Sequence, residues 1–92
     1  MDLKVRGKVA IITGGSEGIG RAVAERLSAE GALVAIAART QLDLDNVAAE
    51  ISATSGNEVI GVATDVRDEL SVESLVETVV AKWGRLDILV NN

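Results

Sequence analysis

The chain has 92 residues, a quarter of them charged, and a net charge of −5. It contains no His, Cys, Tyr or Phe, which excludes the usual zinc and thiolate centres, Ser-His-Asp and Cys-His catalysts, and any phenolic acid within these residues. An acidic chain with no basic run and no aromatic stacking platform is not expected to bind nucleic acid.

The apolar residues are nearly all aliphatic, and the length suits one small domain over residues 1–92 with a modest core. Met1-Asp2-Leu3-Lys4-Val5-Arg6-Gly7 has neither an apolar core nor a small-residue cleavage site, so no signal peptide is expected there. No apolar run approaches the roughly 20 residues of a membrane span. The absence of Cys suits a reducing compartment. A soluble, cytoplasmic protein is the expectation.

Val9-Ala10-Ile11-Ile12 is a continuous apolar run, as in a strand buried on both faces. It leads into Thr13-Gly14-Gly15-Ser16-Glu17-Gly18-Ile19-Gly20. The stripe Ile19, Ala22, Val23, Arg26 and Leu27 then predicts a helix, ended at Gly31. Leu33-Val34-Ala35-Ile36-Ala37 reads as a second buried strand. Leu44, Val47, Ala48 and Ile51 predict a second helix, closed by Ser55-Gly56-Asn57. Val59-Ile60-Gly61-Val62-Ala63 is a third strand, ending at Thr64-Asp65. Val72, Leu75, Val76, Val79, Val80 and Trp83 mark a third helix, with Asp68 or Ser71 as its cap and Gly84 as its stop. Leu86-Asp87-Ile88-Leu89-Val90 is a fourth strand. The order βαβαβαβ with short connections predicts an α/β domain with a parallel sheet and right-handed crossovers.

The glycine-rich segment falls between the first strand and the first helix. The first N–H groups of a helix have no partner within it, and with the helix dipole they form an anion site. Glycines there permit a tight turn and the close approach of a pyrophosphate, and the last one lets helix and strand pack together. Taken alone, the segment would read equally as a plain turn. Its place after a buried strand and before a striped helix points to a phosphate-binding loop.

The spacing Thr13-Gly14-x-x-x-Gly18-Ile19-Gly20 resembles that of the short-chain dehydrogenases/reductases of classical type. Asp65-Val66 after the third strand resembles the family's adenine-contacting pair. Asp87-Ile88-Leu89-Val90-Asn91-Asn92 resembles the strand that leads into the family's Asn-Asn-Ala-Gly motif. The three motifs occur in order along the whole chain. The Thr-Gly-x-x-Gly-x-x-Gly spacing of the related extended type does not fit.

This resemblance implies a Rossmann-type doubly wound sheet of strand order 3-2-1-4, truncated after strand 4, with a dinucleotide at the switch between strands 1 and 4. Gly14, Gly18 and Gly20 would wrap its pyrophosphate, with the Ile19 backbone N–H among the donors. Ser16 would lie near the adenosine ribose or its phosphate. The Asp65 carboxylate would accept from the adenine amino group, and the Val66 backbone would meet the ring. Asn91 and Asn92 would flank the adenosine side of the cleft and steady the fourth strand.

NAD binders typically hold the ribose 2′-OH with an acidic residue at the end of the second strand. Here the strand ends Ala37-Ala38-Arg39, with no acid in that place. Arginine can pair with a 2′-phosphate through two hydrogen bonds, so NADP(H) is expected over NAD(H). Glu17 stands where NADP-preferring relatives often carry a basic residue, which tempers the preference. Arg21 reads as a surface residue.

The family's catalytic Ser, Tyr and Lys, with a helper Asn, follow the Asn-Asn-Ala-Gly motif. None is assignable here, and Ser71, Ser74 and Lys82 belong to the third helix. The chain is expected to be the cofactor-binding N-terminal portion of an oxidoreductase moving hydride between NADP(H) and a carbonyl or alcohol, a homodimer or homotetramer at full length. The other reading is a complete, non-catalytic nucleotide-binding module acting as a regulator or subunit. As a fragment it would expose Leu86, Ile88, Leu89 and Val90 as an apolar edge, and would aggregate or need a partner.

Overall fold

A computed structural model of the chain describes residues 4–92. Met1, Asp2 and Leu3, part of the N-terminal stretch in which no signal peptide is expected, lie outside the described residues. Each aliphatic run forms a strand: β1 (Val9–Thr13), β2 (Leu33–Ala38), β3 (Val59–Ala63) and β4 (Ile88–Asn91). The connecting segments form α1 (Gly18–Ala29), α2 (Gln41–Ser55) and α3 (Glu69–Trp83). The strands pair in parallel in the order β3-β2-β1-β4, the Rossmann-type arrangement expected from the sequence.

Alternation of side chains along the strands divides the core in two. Ala10, Ile12, Val34 and Ile36 point to one face and pack with Ala24 and Leu27 of α1 and Leu44, Ala48 and Ile51 of α2. Val9, Ile11, Ala35 and Ala37 point to the other face and pack with Leu75 and Val79 of α3. With helices on both faces, β1 and β2 have no wet side. Their sequences are therefore continuous apolar runs rather than alternating ones.

The helix ends follow local chemistry. Asp68 caps α3, its Oδ1 accepting from the Leu70 N–H at 3.1 Å. Ser71, the alternative cap, instead accepts from the Asp65 N–H at 3.0 Å. Gly56 and Gly84 close α2 and α3 in the left-handed region, as their positions predicted.

The buried face of α1 differs from the expected stripe. Gly20, Ala24, Leu27 and Ser28 face inward, whereas Ile19 is 76% exposed and Ala22 is also exposed. Hydrophobicity weights large side chains, but the inward face of this helix is built from small ones that let it lie close to the loop and sheet.

Strand β4 begins at Ile88 rather than Leu86, because Asp87 fastens its start. The Asp87 N–H donates to the Val9 carbonyl, and Asp87 Oδ2 accepts from the Val9 N–H, both at 2.9 Å. Arg85 grips the same carboxylate with two bonds of 2.7 and 2.8 Å. The expected apolar edge is smaller than foreseen. Ile88 and Val90 pack on one core cluster and Leu86 on the other, leaving Leu89 at 59% exposure.

The opposite edge, β3, is covered by a side chain. The Gln41 amide donates to the Gly61 carbonyl at 2.9 Å and accepts from the Ala63 N–H at 3.0 Å. It thereby occupies two peptide groups that an incoming strand would use. Among the described residues, no helix is long and apolar enough to cross a membrane.

Arg85, together with the Val9 N–H, holds the Asp87 carboxyl below its ordinary 3.8. A carboxyl depressed in the folded state stabilises the fold fully above its unfolded value, and that contribution is lost as pH falls through the lower folded value. Asp87→Asn is therefore expected to lower the melting temperature at pH 7, with the deficit shrinking below about pH 4. Melting curves across that range check this, and a deficit independent of pH would refute it.

Candidate functional site

Parallel strands bring all four C-terminal ends to one rim of the sheet, and the chain leaves β1 there through the glycine segment. The Gly14 N–H donates to the Ala37 carbonyl at 2.7 Å, tying the loop to the end of β2. Helix α1 starts at Gly18, and its N-cap residue Glu17 makes no side-chain hydrogen bond to it. No acidic side chain lies in the first turn, so the positive end of the helix is left without a carboxylate partner there.

The glycines of the loop have separate tasks. Gly18 has φ +60°, and a Cβ there would meet nothing within 4 Å, so the loop is open to the outside at that point. A Cβ on Gly20 would overlap the Gly14 carbonyl oxygen and lie 2.8 Å from Asn92 Nδ2. Gly20 thus seats the first turn of α1 on the loop itself. Contact with the sheet falls to Gly15, where a Cβ would come within 2.6 Å of Ile36 Cγ2. The motif had left Gly15 as an unassigned position.

Thr13, the last residue of β1 and 7% exposed, joins the loop to β4. Its hydroxyl donates toward Asn91 Oδ1 at 3.1 Å and the Val90 carbonyl at 3.3 Å, and it accepts from the Asn92 N–H at 3.0 Å. Asn91 therefore braces the strand, while the Asn92 side chain lies over Gly14 and Gly20.

A cleft of about 270 Å³ opens between these strand ends. Five residues singled out from the sequence line it: Gly14, Arg39, Asp65, Val66 and Asn92. Ser16, Gly18, Ile19 and Gly20, in the loop and first helical turn, are not among its lining residues, and Asn91 lines a second groove of about 190 Å³ between α3 and β4. Val66, half exposed, borders both.

The charges of the cleft come from three side chains. Arg39 follows β2 directly and makes no ion pair or side-chain hydrogen bond among the described residues. Asp65 is paired with Arg67, which also lines the cleft and which the sequence reading did not single out. The hydrogen bonds from the Arg67 side chain and backbone hold the Asp65 carboxyl below its ordinary 3.8, and the charge of Arg39 adds to this. Ala38 occupies the strand end where NAD binders typically carry an acid, and Glu17 is not part of the lining. Arg21 is engaged elsewhere, with Glu50 at 2.7 Å.

A cleft at the C-terminal rim of a doubly wound sheet, flanked by a glycine loop and an uncapped helix start, is the arrangement in which Rossmann-type domains bind dinucleotides. The chain belongs to the short-chain dehydrogenase family, whose profile matches residues 8–92. It is 46% identical over 89 residues to a 7alpha-hydroxysteroid dehydrogenase of Clostridium sardiniense, covering 97% of this chain and 34% of that protein. It is 43% identical over 90 residues to a 3-oxoacyl-acyl-carrier-protein reductase of Escherichia coli, covering 98% of this chain and 35% of that protein. An L-sorbose reductase from Gluconobacter frateurii, solved with NADPH and L-sorbose, superposes on all of this chain and 35% of its own with a TM-score of 0.95 at 43% identity. The chain thus spans about a third of the length of these relatives.

Since Gly20 is in tight contact and Gly18 faces open space, the two alanine variants are expected to differ. Gly20→Ala should destabilise by about 1–3 kcal/mol through overpacking. Gly18→Ala should cost about 1–2 kcal/mol from backbone strain alone and leave the loop's packing intact. Denaturation midpoints, with amide exchange of residues 13–20 as a local readout, check this. Loop protection lost equally in both variants would contradict the division of roles.

Proposed function

We propose that this chain is the dinucleotide-binding N-terminal portion, within a single Rossmann domain, of an NADP(H)-dependent oxidoreductase. The whole protein would transfer hydride between the nicotinamide and a carbonyl or alcohol carbon. The observation that carries the cofactor reading is Arg39: a guanidinium lining the cleft, without an ion pair among the described residues, directly after Ala38 and with no carboxylate at the strand end. The NADPH bound by the L-sorbose reductase from Gluconobacter frateurii supports the same assignment.

The residues suit such a cofactor. Gly18 leaves open space at the loop, the absence of side chains at Gly14 and Gly20 lets the loop and first turn of α1 close on one another, and the N–H groups at the start of α1, Ile19 included, suit a pyrophosphate. Ser16, in that loop, would lie near the adenosine ribose or its phosphate. Arg39 would take a ribose 2′-phosphate, Asp65 a donor from the adenine, and the Val66 backbone the ring. Asn91 and Asn92 would hold the rim of the cleft through Thr13. The bound cofactor supplies the hydride, and the protein supplies position and field. The acid–base residues would come from outside this sequence, which has no Tyr. A homodimer or homotetramer in the cytoplasm completes the reading.

Calorimetry with the two reduced cofactors tests it. NADPH is expected to bind more tightly than NADH, and Arg39→Ala should weaken NADPH by roughly tenfold to a hundredfold while leaving NADH nearly unchanged, as one charge-assisted bond is worth about 1.5–3 kcal/mol. Equal affinities in the unaltered protein would overturn the assignment of Arg39.

A further inference from the structure

Asp65 and Arg67 are arranged more tightly than a surface ion pair two residues apart requires. A carboxylate offers about four acceptor positions, and Arg67 fills three of them. Its backbone N–H reaches Asp65 Oδ1 at 3.0 Å, its Nε reaches the same oxygen at 3.1 Å, and its Nη2 reaches Oδ2 at 3.3 Å. One position remains, on Oδ2, matching a ligand with a single N–H to give.

The same cleft holds Arg39, which makes no ion pair or side-chain hydrogen bond among the described residues. A carboxylate and an anion-binding arginine in one cleft work against each other. An unneutralised Asp65 would weaken the field of Arg39 and repel a phosphate placed beside it. Arg67 cancels that charge locally without removing the acceptor.

Resting on the dinucleotide reading above, we propose that Arg67 is a positioning and specificity-determining residue. By saturating Asp65 it orients the carboxylate for one adenine donor and leaves Arg39 as the uncompensated cation for the 2′-phosphate. Arg67 acts through Asp65 and does not itself hold the phosphate. Its side chain is 72% exposed, so its replacement leaves the core untouched.

The test uses the protein at its native length with two probes, AMP and adenosine 2′,5′-bisphosphate, titrated by calorimetry into the unaltered protein, Arg67→Ala, Arg67→Lys, Asp65→Asn and the double variant. Arg67→Ala should weaken the bisphosphate by about threefold to tenfold and AMP by less. Arg67→Lys, which keeps the charge, should recover most of the difference between the probes. In the Asp65→Asn background, Arg67→Ala should shift the ratio of the two affinities about as before, since the charge removed is the same, but should weaken AMP little, since no carboxylate is left to orient. A ratio unmoved by Arg67→Ala, or AMP weakened equally in both backgrounds, would overturn the proposal, as would a loss of the bisphosphate well above tenfold, which marks direct contact with the phosphate. Unaltered protein that binds neither probe would overturn the dinucleotide reading, and this proposal with it.

Discussion

Strand β1 has no side exposed to water. All five of its residues are buried, its edges are paired to β2 and β4, and its faces are covered by helices. Burying each of Ile11 and Ile12 is worth about 1.5–3 kcal/mol, but the arrangement is a constraint as much as a source of stability. Every peptide group must find a partner, because an unpaired one in that setting is costly. The neighbouring strands therefore have little freedom of register, and whatever follows β1 must emerge at a fixed point on the rim. Among the described residues, no buried side-chain nitrogen or oxygen lacks a partner.

Polar bonds at the two ends of β1 carry this constraint to β4. Asp87 closes the pair at the start and Thr13 at the finish. The outer strand is held by polar groups where it lacks a second neighbour to pair with. The cleft inherits its shape from this clamp, since Thr13 sets where Asn92 lies and Asn92 overhangs the glycine loop. Burial, register and the rim of the cleft are thus linked through a single hydroxyl.

The strands and the two longer helices could be read from the sequence because their signal is strong and local. β3 and the caps Asp68, Gly56 and Gly84 fall where the residue types placed them. The inward face of α1 could not be read, because Gly20, Ala24 and Ser28 carry little hydrophobic weight although the packing depends on their small size. Long-range partners were equally hidden. Asp87 meets Val9 across 78 positions and Gln41 meets Ala63 across 22, and neither pairing leaves a spacing pattern. Arg67 is a different case: it adjoins a recognised motif, and only the folded turn shows its guanidinium returning to Asp65. The parts of the cleft foreseen from sequence are those with a motif behind them, and the parts missed are those that act through another residue.

The plug at the β3 edge has a consequence of its own. Sheets are commonly guarded at their margins by lysines or other charges, whose effect fades as salt rises. Gln41 guards by imitation: its side-chain amide stands in for a peptide group, donating and accepting like one more residue of strand. A neutral amide neither titrates nor attracts counter-ions. At Gly61 and Ala63 this margin of the sheet is therefore guarded by a group that carries no charge for salt to screen, although the same amide nitrogen also donates to Asp45 Oδ1 at 2.7 Å.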